Sequence, residues 1–139
     1  MPSVPEESPS HRPVLVRETV EGLAPGFSHG PRPMWDGTVG AGGHAAAILD
    51  RIPAVSRYHG SDRDPAILRE AAERLAPHGA RVILETGRLS ALHERWRAAG
   101  SEPAGGVLAD LGVSSRQLDD PVRGFAFDST SPADMRMAL

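Results

Sequence analysis

The 139-residue chain predicts an α/β protein whose parallel sheet is built from βαβ units. Three observations lead there. Short apolar runs alternate with helical segments of about ten residues. The first strand candidate runs straight into a glycine turn, GTVGAGG at 37–43. An acidic residue, Asp62, stands at the end of the second strand, 19 residues beyond Gly43. In such sheets ligands bind outside the carboxyl ends of the strands, near the point where strand order reverses. The turns that follow the strands are therefore where functional residues are expected.

Taken in order, residues 1–10 (MPSVPEESPS) are rich in Pro, Ser and Glu and predict a disordered tail. Val16, Val20 and Leu23 recur at helical intervals within 14–23, and Pro25-Gly26 ends that helix. Pro33 to Asp36 is a short strand, and HAAAILDR (44–51) a helix stopped by Pro53. Arg57 to Ser61 is a weak strand candidate. Asp64-Pro65 reads as an N-cap with proline at the first helical position, opening a helix to Ala76. Val82, Ile83 and Leu84 form a strand, and Ser90 is expected to cap a helix over 91–99 that Gly100 closes. Val107 to Leu111 is the last strand, and the remainder reads as loop.

Composition narrows the function classes. The absence of cysteine excludes disulfides, thiolate zinc sites and a thiol nucleophile. The six histidines show no paired metal-ligand spacing, so no metal site is expected. No apolar run reaches the roughly 20 residues of a membrane-spanning helix, and no secretory signal pattern opens the chain. A cytoplasmic protein without membrane contact is the default expectation. All 15 basic residues are arginine, and a net charge of −3 argues against gripping nucleic acid by overall charge alone. Arg63, Arg69 and Arg74 read most simply as a solvated helix face.

The glycine turn permits close approach of backbone to a ligand, and GAGGHA (40–45) fits G-x-G-x-x-G/A. Asp62 can accept hydrogen bonds from ribose hydroxyls, because Asp64 already fills the capping role. Together they predict a nucleoside-containing cofactor. Geometry leaves open whether this is NAD or S-adenosylmethionine, although Asp36 and His44 suit a zwitterion at least as well as a pyrophosphate. The last turn, Asp110 to Gln117, adds a carboxylate, the hydroxyls of Ser114 and Ser115, and an amide. No histidine stands in a context that would make either serine a nucleophile.

Several stretches, in order, carry a resemblance: HRPVLVRETVEGL (11–23), WDGTVGAGGHAAAIL (35–49), SDRDPAIL (61–68), GGVLADLGVSSRQLDD (105–120), RGFAF (123–127) and DMRM (134–137). The chain resembles the bacterial small-subunit rRNA cytosine-N4 methyltransferases. That resemblance implies a Rossmann-like S-adenosylmethionine-dependent fold, and action on 16S rRNA within the small ribosomal subunit. It places cofactor contacts on Gly42, Gly43, His44, Asp62, Leu89, Asp110 and Gln117, and assigns no catalytic residue. Gly42, Gly43 and His44 would meet the methionine part, Asp62 the ribose and Leu89 the adenine, with Asp110 and Gln117 on polar edges. The family usually carries phenylalanine at the position of Leu89 and leucine at that of Ala133.

Relatives continue beyond DMRM, whereas this chain reads Ala138-Leu139 and stops. The expectation is therefore a truncated fold with the first four or so strands. Residues 11–139 would form the N-terminal cofactor-binding half, with strand 107–111 as an exposed edge open to pairing with a second copy. The chain alone is not expected to methylate rRNA. Two other readings stand beside this one: a non-catalytic remnant that binds cofactor or a partner, and an NAD-dependent oxidoreductase using the same turn.

Overall fold

The computed structural model describes residues 13–113, 115–127 and 130–136. The 1–10 tail and Ser114 lie outside the described residues. Helix α1 (Val16–Leu23) precedes strand β1 (Arg32–Asp36), then α2 (Gly43–Arg51), β2 (Val55–Asp62) and α3 (Pro65–Leu75). Strand β3 (Val82–Thr86), α4 (Leu92–Ala98), β4 (Gly106–Leu108) and α5 (Ser115–Asp119) follow. The four strands form one parallel sheet in the order β3-β2-β1-β4. Strand order runs outward from β1 through β2 to β3 and then returns to the other side of β1. The switch point therefore lies between β1 and β4, the Rossmann-like arrangement the sequence predicts.

Alternation along the strands divides the side chains between two faces. Met34 and Asp36 pair with Tyr58 and Gly60, and these with Val82 and Leu84. Met34 and Tyr58 are fully buried against Val20, Ile48, Leu49, Leu68, Ala71 and Leu75, so α1, α2 and α3 cover this face. On the opposite face Trp35 stacks on His59 with ring centroids 3.9 Å apart. Trp96 of α4 shares a small cleft with that stack, consistent with a right-handed crossover from β3 to β4. Val107, the register partner of Trp35 on β4, is 59% exposed because among the described residues nothing covers the sheet beyond it.

Local chemistry explains the helix starts. Asp64 caps α3 by accepting from the Ala66 N–H at 2.9 Å, with Pro65 in the first turn where its missing donor costs nothing. Gly42 takes the left-handed conformation (φ 81°) at the head of α2. A Cβ there would stand 3.3 Å from the Cα of Ala71, so the same glycine lets α2 approach α3.

Four expectations need correction. Strand β2, read as a weak run over 57–61, is the longest strand, because it is paired on both sides by β1 and β3. Strand β4 spans three residues, not 107–111, since its partner β1 ends at Asp36 opposite Leu108. Ser90 caps no helix: Leu89–Ala91 form a single 3-10 turn, and α4 begins after it with no side-chain cap. The tail beyond β4 is not all loop, for it contains α5 and a 3-10 turn at Pro121–Arg123.

Candidate functional site

The turns leaving β1, β2, β3 and β4 open onto one cleft of about 770 Å³ at the carboxyl end of the sheet. Its size suits a cofactor or a drug-sized ligand. Next to the lining residue Gly37, Asp36 ends β1 with its side chain fully buried. Asp36 accepts hydrogen bonds from the Tyr58 hydroxyl and from the Thr38 N–H. Burial pushes the Asp36 carboxyl above its usual range, and the bonds from Tyr58 and Thr38 only partly oppose that. Burial and the neighbouring carboxyl together raise the Tyr58 phenol well above 10, so it remains the donor. Thr38 carries this anchoring outward. Its hydroxyl accepts the Asp110 N–H at 2.7 Å, tying the turn after β4 to the turn after β1 across the switch point. The Gly37 N–H reaches the Leu108 carbonyl at 3.0 Å and closes the same seam.

Asp62 ends β2 and organises two turns at once. One carboxylate oxygen accepts the Gly40 N–H and the other the Asp64 N–H, each at 3.0 Å. Each oxygen keeps a further lone pair with which to accept from a ligand hydroxyl. The backbone carbonyl of Asp62 takes the Gly87 N–H at 2.8 Å, which brings the turn after β3 alongside. Leu89 lies just beyond that turn, half-buried on the cleft wall. It packs on the bare Cα of Gly37: a Cβ there would fall 2.1 Å from Leu89 Cδ1.

His44, in the first turn of α2, donates from Nε2 to the Val14 carbonyl at 2.9 Å. Its Nδ1 then faces Asp110, 3.9 Å from the carboxylate. The Asp110 side chain is 62% exposed and directed to the cleft mouth. Gln117 reaches the cleft from α5 and is buried.

Of the seven residues singled out in the sequence, Gly43, His44, Asp62, Leu89, Asp110 and Gln117 line this cleft. Gly42 does not, for it is turned against α3. Other contributors went unread. Thr38 is invisible to motif reasoning because its role lies in joining two turns distant in sequence. Arg63 and Arg74, read as a solvated face, line the cleft together with Arg88. Arg123 is buried, 2.7 Å from Asp64 and 3.0 Å from Asp120. The Arg123 carbonyl accepts the Met135 N–H at 2.8 Å, so the RGF and DMR stretches are fastened together at the cap of α3. Asp120, three residues before Arg123, was the available signal, whereas the sequence distance to Asp64 hid the buried pair.

Comparison with known proteins agrees with this geometry. Residues 8–139 match the model of the MraW methylase family. The chain is 46% identical over 131 residues to a protein of Saccharopolyspora erythraea named ribosomal RNA small subunit methyltransferase H, covering 91% of this chain and 38% of that protein. Proteins of the same name from Solidesulfovibrio magneticus and Thermobifida fusca are 43% and 42% identical, covering 95% and 94% of this chain and 40% and 39% of their own lengths. The chain thus spans about two fifths of the length of these relatives. A match over nearly every residue, running through each of the four strand-end turns, means that the chain belongs to the MraW methylase family.

Proposed function

We propose that this chain forms the S-adenosylmethionine-binding part of a methyltransferase that modifies the exocyclic N4 of a cytosine in 16S rRNA of the small ribosomal subunit. The observation that carries the reading is the convergence of Asp62, Leu89, Asp110 and Gln117 from three separate strand-end regions onto one cleft at the switch point. The donor set fits the cofactor. Two carboxylates suit a ligand bearing a sulfonium and an ammonium group, and Leu89 offers an apolar wall for adenine. The relatives' shared name points to ribosomal RNA as the substrate class.

In this reading Asp62 receives the ribose hydroxyls on the lone pairs left free by Gly40 and Asp64. The backbone at Gly43 and His44 borders the methionine part, and Gly42 acts through the conformation it permits at the head of α2. Asp110, held by Thr38, and Gln117 take polar edges of the cofactor. The bound cofactor supplies an electrophilic methyl group for displacement by the cytosine amino nitrogen. The chain's part is alignment of the partners and exclusion of water. Asp110 is a binding residue here and receives no proton-transfer role. No helix of the described residues is long and apolar enough to cross a membrane. A ribosomal substrate would be met in the cytoplasm, which is the location this reading implies. Among the described residues β4 is paired on one side only, and its other edge, with Val107 beside it, is the surface on which a second copy would pair.

Calorimetric titration of the chain with S-adenosylmethionine and, separately, with NAD tests the reading. Saturable heat with adenosylmethionine and none with NAD is expected. Preference for NAD, or no binding of adenosylmethionine, would sink it.

A further inference from the structure

Three guanidinium groups border the cleft without an acidic partner. Arg63 stands on the turn after β2, Arg88 on the turn after β3, and Arg74 in the last turn of α3. The first two turns are held side by side by the bond from the Gly87 N–H to the Asp62 carbonyl. The Arg74 guanidinium lies over the head of α2, 3.2 Å from where a Cβ on Gly43 would be. All three residues are exposed, and among the described residues none makes an ion pair. Some arginines elsewhere are neutralised: Arg95 pairs with Glu85, Arg123 with Asp64, and Arg136 with Asp134. Arg32, Arg51, Arg57, Arg69, Arg81 and Arg97 likewise make no ion pair among the described residues, but of these unpaired arginines only Arg63, Arg74 and Arg88 line the cleft.

The proposed cofactor does not account for it. Adenosylmethionine carries a sulfonium and an ammonium against one carboxylate, so it is a net cation whose single carboxylate can engage one guanidinium and leaves the other two without a partner. The acids at Asp62 and Asp110 complement it; the arginines would repel it unless an anion enters the same cleft. Arginine presents a rigid fork of donors matched to phosphate oxygens. We propose that Arg63, Arg74 and Arg88 hold phosphates of the RNA strand on either side of the base that enters the cleft. This rests on the methyltransferase reading above, which makes RNA the anionic second ligand. It also supplies the local grip that the overall charge of the chain does not.

The test uses a labelled single-stranded RNA oligonucleotide, fluorescence anisotropy across a potassium chloride series, and the chain with Arg63→Gln, Arg88→Gln and both. Each substitution should weaken RNA binding severalfold and make the plot of log affinity against log salt shallower by about 0.7, the release expected per single-strand phosphate contact. Adenosylmethionine affinity, measured by calorimetry on the same samples, should stay within about twofold. An unchanged salt slope would overturn the proposal. So would a loss of adenosylmethionine affinity equal to the loss for RNA, which would assign the arginines to the cofactor. Displacement of the RNA by inorganic phosphate at equal phosphate concentration would also overturn it, by showing a generic anion site. If the slopes change as expected but the unsubstituted chain fails to bind adenosylmethionine, the arginine assignment stands and the cofactor reading falls.

Discussion

Asp62 is asked to do two things, since its carboxylate ties together the Gly40 and Asp64 turns and also faces the cleft. Asp62→Ala should therefore weaken adenosylmethionine binding by about 1–3 kcal/mol, the cost of leaving hydrogen-bonding groups unpaired. Calorimetry on both proteins checks this, and equal affinities would remove Asp62 from the ribose. At Leu89 the family's usual phenylalanine provides the converse experiment. The bare Cα of Gly37 leaves a flat surface under residue 89. Leu89→Phe should then tighten cofactor binding by up to about 1 kcal/mol through added apolar area and ring stacking. A thermal melt run alongside the titration would show whether the fold tolerates the ring. Unchanged affinity in a folded variant would move residue 89 away from adenine. The position of both on the cleft was legible in the sequence, that of Asp62 from its distance to the glycine turn and that of Leu89 from resemblance alone. Thr38 was not, because a hydroxyl that joins two turns 72 positions apart leaves no local pattern.

At the scale of elements, sequence patterning succeeded where one element's chemistry suffices. Asp64-Pro65 announces α3, and the glycine turn announces α2. It fell short where pairing decides: β2 is long because neighbours on both sides order it, and β4 is short because β1 ends. The segment beyond β4 escaped for the same reason. Its fixed point is the buried Arg123–Asp64 pair, with side chains 9% and 3% exposed, and that contact spans 59 positions of sequence. Removing one member strands the other charge away from water. Arg123→Met should destabilise the fold by about 3–5 kcal/mol in urea unfolding. Adding Asp64→Asn, which keeps a capping oxygen, should recover part of the loss. A single variant as stable as the parent would mean that the pair is not what fastens this segment.

For the molecule as a whole, placing every strand-end turn at one end of the sheet gathers binding groups there and also buries a carboxyl beneath them. Because burial raises the Asp36 carboxyl above its ordinary value near 3.8, the folded state holds that proton more firmly than the unfolded chain does. The resulting stabilisation is complete below the ordinary carboxylate range and is lost as pH rises through the raised value. Asp36→Asn removes the titration and can still bond to Tyr58 and Thr38. Its stability relative to the parent should therefore rise as pH increases through that window, as read by urea unfolding from about pH 3 to about pH 7. A constant difference across the range would show that Asp36 titrates normally. On the other face of the sheet, the Trp35–His59 stack, with planes 4° apart, has an optical consequence. Protonated imidazole quenches indole emission at contact, and burial first, then Arg57, lowers the His59 pKa below 6.5. Emission from Trp35 should accordingly dim only in acid stronger than free histidine needs, and His59→Leu should abolish that step. The chain thereby contains its own fluorescent gauge of whether β1 and β2 remain side by side.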